Sequence, residues 1–153
     1  MSHLLGEFEC KIDAKGRVML PTALKKQLPT EAQEKFVVNR GFEKCLVLYP
    51  YNEWQKISNE INQLNLYNKQ NRDFARYFFR GATEIQLDAT SRILFPKTLL
   101  DYAGVQSDVI LFAYANRIEV WSKDTYENLL TDESADFSNL AEMVMGKKTL
   151  GEI

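Results

Sequence analysis

Histidine is almost missing from this sequence: His3 is the single one in 153 residues, and cysteine occurs only at Cys10 and Cys45. One histidine and two distant cysteines cannot supply the four ligands of an ordinary zinc site. They leave no Ser-His-Asp or Cys-His set either. Neither a phosphate-cradling P-loop nor a G-x-G-x-x-G stretch is present. These absences argue against an enzyme and against a bound metal or cofactor. No apolar run reaches the roughly 18–20 residues that cross a bilayer, and no basic-then-apolar start marks a secretory leader. The expected location is the cytoplasm, where Cys10 and Cys45, both in apolar strand-like runs, stay as reduced thiols. His3 reads as a solvated terminal residue.

What is there has the balance of a globular protein, with 45% hydrophobic and 26% charged residues. The length suits one domain or two small ones. A net charge of −2 does not suggest a nucleic-acid binder, but that charge is unevenly spread. Glu7–Leu28 carries +2, with Lys11, Lys15, Arg17, Lys25 and Lys26 among its residues, and Leu66–Gly81 carries +3. Glu119–Glu142 carries −6. A basic face can meet phosphate while an acidic one faces water or a neighbour.

The chain also repeats itself. GEFECKIDAKGRVMLPTALKKQL from Gly6 aligns without gaps on GATEIQLDATSRILFPKTLLDYA from Gly81, with seven identities in 23 positions. Among them are Asp13/Asp88, Arg17/Arg92 and Pro21/Pro96. After a small shift, both copies continue as two apolar strands and a helix start. Two copies are too few for a solenoid and suit a domain of paired halves.

Each copy reads as strand, turn, strand and helix. Phe8, Cys10 and Ile12 alternate with Glu7, Glu9 and Lys11, the pattern of a strand with one buried face. Asp13-Ala14-Lys15-Gly16 is a turn, with Asp13 bonding local backbone and Gly16 supplying a positive φ. Arg17–Leu20 runs back, Val18 and Leu20 inward and Arg17 outward. Pro21 then opens a short helix, Thr22–Leu28. The second copy repeats this, with its helix at Pro96–Ala103. Hairpins Lys35–Asn39/Cys45–Tyr49 and Val109–Tyr114/Arg117–Trp121 follow. Longer helices are expected at Asn52–Leu64, Arg72–Arg80, Lys123–Leu130 and Phe137–Met145, with Asn65–Asn71 as the link between halves. Each half is small for its own core, which favours pairing of halves and then of whole chains.

The D-x-x-x-R element, present as Asp13–Arg17 and Asp88–Arg92 and each time followed by three apolar residues and a proline, resembles the signature of the MraZ family. The start LLGEFECKIDAKGRVMLP and the mid-chain RYFFRGA fit the same layout, and the resemblance covers the whole chain. It implies an α+β fold of two tandem hairpin–helix modules, related to the AbrB-type swapped hairpin. These would span 6–64 and 81–146, joined by a helix-bearing segment at 65–80, and pack as a pseudo-two-fold, β-barrel-like domain with peripheral helices. It further implies a nucleoid-associated bacterial transcriptional regulator of the division and cell-wall gene cluster. Its partners would be double-stranded promoter DNA bearing short, repeated GC-containing boxes, and copies of itself in a ring of eight or more. No membrane and no small-molecule substrate are expected.

In the family the arginine of the first element contacts DNA; here that is Arg17, with Lys15 in the same turn. A tight turn projecting Lys15 and Arg17 is a compact positive tip, and arginine can grip guanine O6 and N7 or a phosphate. Lys11, Lys25 and Lys26, near in sequence, are candidates for phosphate contacts. The bland alternative stands beside this: Asp13 with Arg17, and Asp88 with Arg92, pair across their turns as structural salt bridges. In the second copy Thr90 replaces Lys15 and Ser91 replaces Gly16, so that copy is expected to be mainly structural. Other readings are a scaffolding ring acting through its acidic face, and an antitoxin-like DNA binder.

Overall fold

Among the described residues eight strands form two sheets, and neither sheet belongs to one copy of the repeat. The computed structural model describes residues 3–133 and 136–151, with side chains for 3–130 and 136–146. Its first compact unit, Met1–Lys123, contains β1 (Leu4–Lys11), β2 (Arg17–Met19), α1 (Thr22–Lys25), β3 (Lys35–Arg40), β4 (Leu46–Pro50), α2 (Tyr51–Asn62) and α3 (Lys69–Phe79). The second copy contributes β5 (Thr83–Gln86), β6 (Arg92–Leu94), α4 (Lys97–Ala103), β7 (Asp108–Ala115) and β8 (Arg117–Ser122). The second unit, Asp124–Ile153, holds most of α5 (Lys123–Glu133) and all of α6 (Phe137–Gly151). Phe137, Leu140, Met143 and Val144 are exposed on α6. Asp132 and Glu133, part of the acidic stretch, lie outside the residues whose side chains are described.

The large sheet has the order β1-β7-β8-β4-β3-β5, and β2 and β6 form a separate two-stranded ribbon. All pairs are antiparallel. Exchanging each strand for its counterpart in the other copy leaves both orders unchanged. The first strand of each copy pairs with the third strand of the other: β1 with β7 over eight residues, and β5 with β3 over four. The expected strand–turn–strand of each copy is therefore not a hairpin. Ile12 and Val18 make only an isolated bridge. The reason lies in length. Pro21 ends β2 after three residues, whereas β7 offers β1 a full-length partner. The hairpins β3–β4 and β7–β8 form as expected.

The fold is α+β with an antiparallel sheet, as expected, and no closed barrel forms among the described strands. β1 and β5 end the sheet at opposite edges instead of meeting. The ribbon is joined to the sheet through Val18 and Ile93, which face each other in register and are fully buried. They pack in the main core with Leu20, Leu24, Phe95 and Leu99 and with the inward residues of the sheet, among them Phe36, Leu48 and Leu111.

The asparagine-rich link has a local job. Asn65 accepts from the Tyr67 amide, and Asn68 caps α3 by accepting from the Asn71 amide. Arg72 donates to the carbonyls of Leu66 and Tyr67 and so ties the link to α3. Buried Asn39 donates to the Phe78 carbonyl, fixing the end of α3 to β3. Trp54 of α2 stacks on Phe78 at 5.7 Å. Both cysteines are free thiols; burial raises the Cys10 pKa and pushes Cys45 up to about 12.

Candidate nucleic-acid interface

The ribbon sets the site. Alternation along a strand sends neighbouring side chains to opposite faces. With Val18 and Ile93 inward, Arg17, Met19, Arg92 and Leu94 share the outward face. The register places Arg17 opposite Leu94 and Met19 opposite Arg92. The two arginines thus stand on one diagonal of a single face. Their turns lie at opposite ends of the ribbon.

Both turns close in the same way. Asp13 Oδ1 accepts from the amides of Lys15 (3.0 Å) and Arg17 (2.8 Å), while Oδ2 accepts from Arg17 Nε (2.7 Å). Asp88 repeats this with the amides of Thr90 (2.9 Å) and Arg92 (2.8 Å) and with Arg92 Nε (2.9 Å). The Thr90 hydroxyl adds a donor at 3.1 Å, so the residue that lost the lysine charge gained a turn contact. Gly16 has φ 89°, and a side chain there would crowd the Phe95 carbonyl at 3.2 Å and Leu100 at 3.3 Å. Ser91 adopts the same left-handed region at φ 63°, costing on the order of 1 kcal/mol relative to glycine. The second turn keeps the shape and bears the strain.

These bonds hold both carboxylates ionised. The Asp13 pKa is lowered, chiefly by the Arg17 amide, and that of Asp88 falls to about 2, chiefly by the Arg92 amide with help from Thr90. An unfolded aspartate titrates near 3.9. A pKa depressed by folding contributes stability that is complete above the unfolded value and is lost as pH falls through the folded one. The melting temperature is therefore expected to drop between about pH 4 and pH 2. In Asp88→Asn that drop should be shallower, as read by thermal melts at stepped pH. Superimposable acid profiles for the two proteins would remove Asp88 as a contributor.

One lysine is not where sequence proximity suggests. Lys25 donates to Ser91 Oγ at 2.6 Å, so it stands at the second turn rather than the first. Lys26, at the end of the same helix, is exposed. Conversely, Lys97 of α4 lines the same hollow as Lys15 and Gly16, and pairs with Asp101 at 3.5 Å. Lys11, just before the first turn, is mostly exposed and pairs with Asp108 at 3.1 Å. Lys15 itself is exposed. Each turn thus has a lysine from the other copy beside it. The sequence hides Lys97 because only the exchange of partners carries α4 to the first turn.

A second feature lies elsewhere on the first unit. Arg40, Arg80 and Arg117 line a cleft of about 260 Å³ with Phe42, Tyr49, Phe74, Tyr77 and Tyr102. Arg40 lies over the Tyr102 ring and Arg117 over Tyr49. Phe42 and Tyr77 are 85% and 73% exposed, far more than isolated core aromatics would be.

The chain matches a family described as "MraZ protein, putative antitoxin-like" twice in tandem, over residues 3–77 and 78–147. It is 46% identical over 147 residues to a protein of Christiangramia forsetii named "Transcriptional regulator MraZ", covering 95% of each chain. A protein of the same name from Flavobacterium psychrophilum is 48% identical over 147 residues, covering 95% of this chain and 94% of its own. Another, from Natranaerobius thermophilus, is 38% identical over 141 residues, covering 92% and 96%. A tandem match that takes in both D-x-x-x-R turns, with relatives aligned over nearly their full length, makes this chain a member of the MraZ family.

Proposed function

We propose that this chain is a sequence-specific, DNA-binding transcriptional regulator that acts in the cytoplasm at the nucleoid. Its target is the promoter of the division and cell-wall gene cluster, which it binds at repeated boxes as a ring of copies. The observation that carries this reading is the outward face of the ribbon, where Arg17 and Arg92 stand together with lysines at both ends. In each arginine the ion pair with aspartate uses Nε, which leaves the outer nitrogens of the guanidinium for guanine or phosphate. The structural salt bridge and the DNA contact are then compatible roles of one residue. Lys15, Lys11, Lys25 and Lys26 serve as phosphate contacts that position the ribbon. The names of the relatives support the regulatory role.

Assembly into a ring is supported by the cleft of Arg40, Arg80 and Arg117 with exposed Phe42 and Tyr77, since aromatics and arginine are the residues enriched in interface cores. Light scattering should give a mass that is a multiple of the 17.7 kDa chain, and Tyr77→Glu should lower it. A monomeric wild type would remove the ring. A ring repeats the ribbon, so modest single contacts add up on repeated boxes.

The test of DNA binding is titration of a fragment carrying tandem boxes from upstream of the chain's own gene, at several salt concentrations. A specific complex that weakens steeply with salt is expected, with a slope of roughly 0.9 per phosphate neutralised. Absence of binding even at low salt would instead favour a scaffold acting through protein contacts.

A further inference from the structure

Two large apolar side chains sit where a DNA-facing surface has least use for them. Met19 is 59% and Leu94 is 55% exposed, on the same ribbon face as Arg17 and Arg92. They occupy the diagonal that the arginines do not. Residues opposite each other on antiparallel strands are about 5 Å apart, and next-but-one residues on one strand about 6.7 Å apart. Arg17, Leu94, Met19 and Arg92 therefore form one small tile, alternating charged and apolar at its corners. Leu94 lines a shallow hollow beside β5, where Glu84 is held by Lys35 at 2.8 Å. The residues of β2 and β6 that hold the fold together, Val18 and Ile93, point the other way and are fully buried. Met19 and Leu94 are thus not needed by the core.

Resting on the DNA-binding reading above, we propose that Met19 and Leu94 are base-reading residues that pack against thymine methyl groups in the major groove. The major groove is about 12 Å wide and admits a two-stranded ribbon, and the thymine C5-methyl is the apolar group displayed there. The flanking arginines fit the fields that DNA presents around such a methyl: guanine edges within the groove and phosphates along its walls. Phosphate contacts by Lys15 and Lys25 fix the depth of the ribbon, and the apolar pair then distinguishes bases by contact. This adds an apolar component of specificity to a site otherwise described only by its charge.

The experiment compares the full-length protein with Met19→Ala and Leu94→Ala on two versions of the upstream tandem-box fragment, one normal and one with deoxyuridine in place of every thymidine. Removing a methyl from an apolar contact costs about 0.8 kcal/mol, close to fourfold in affinity. Wild type is expected to bind the deoxyuridine fragment at least about fourfold more weakly. The alanine variants should lose most of that difference while keeping the salt slope, the circular dichroism spectrum and the assembled mass. Equal binding of both fragments by wild type, or undiminished discrimination by both variants, overturns the proposal and leaves the regulator reading intact. A fall in assembled mass in either variant also overturns it, because the tile would then be a subunit contact. Failure of wild type to bind either fragment rejects the regulator reading itself.

Discussion

Arg17→Ala is expected to weaken binding to tandem-box DNA by roughly tenfold or more per contact, the loss that follows removal of a two-pronged arginine–guanine interaction. On a ring that presents the ribbon repeatedly, the loss compounds across subunits and should abolish the shifted complex in a gel at ordinary salt. The fold should survive. Asp13 keeps the amides of Lys15 and Arg17, so the turn stays closed when the side chain is removed. The pair it breaks is partly exposed, and such pairs contribute about 0–1 kcal/mol. Circular dichroism and light scattering on the same sample separate a lost contact from a lost structure. Arg92→Ala is expected to weaken binding less, because exposed Lys15 stands only in the first turn. Equal losses would mean that Lys25, brought to Ser91, fully stands in for it.

The second large effect concerns stability. Ile93 is fully buried and faces Val18 at the centre of the ribbon. Ile93→Ala removes a branched side chain from a position where both copies meet, and core truncations of this kind cost about 2–5 kcal/mol. For a chain of this size each kilocalorie lowers the melting temperature by about 2–4 °C, so a fall on the order of 10 °C is expected in a calorimetric or circular dichroism melt. Met19→Ala, one residue from Val18 in the facing strand, should change the melting temperature by far less, since its side chain is largely in water already. A small effect for Ile93→Ala would show that the ribbon contributes little to the stability of the whole.

The sequence showed its elements well and their partners poorly. The period of two in Phe8–Ile12, the proline after each short strand, and the apolar spacing of Trp54, Ile57 and Ile61 place β1, β2 and α2 close to where they are found. Asp13 and Gly16 announce the turn through chemistry that is local to it, so both are legible. Pairing is a different matter. Alternation fixes which face of a strand is buried but is silent about which strand lies next to it. For that reason one copy taken alone suggests a self-contained hairpin, although β1 joins β7 and β2 joins β6. The positions of Lys25 beside Ser91 and of Lys97 beside the first turn depend on the same exchange and do not follow from order along the chain. Alternation that turns Val18 and Leu20 inward also turns Met19 outward, and the repeat does the same for Leu94; that the two share one face follows only from the pairing of β2 with β6.

The charge difference between the copies has a different meaning once the strands are traced. The second turn lacks a lysine of its own, yet Lys25 of the first copy reaches it. The first turn shares its hollow with Lys97 of the second. Each end of the ribbon is a composite of both copies, and so is each edge of the large sheet. It follows that the chain cannot be divided at its repeat boundary into two autonomous proteins. Cut between residues 77 and 78, where the two family matches meet, it would yield fragments that each lack strand partners and that become ordered only on mixing, by mutual complementation.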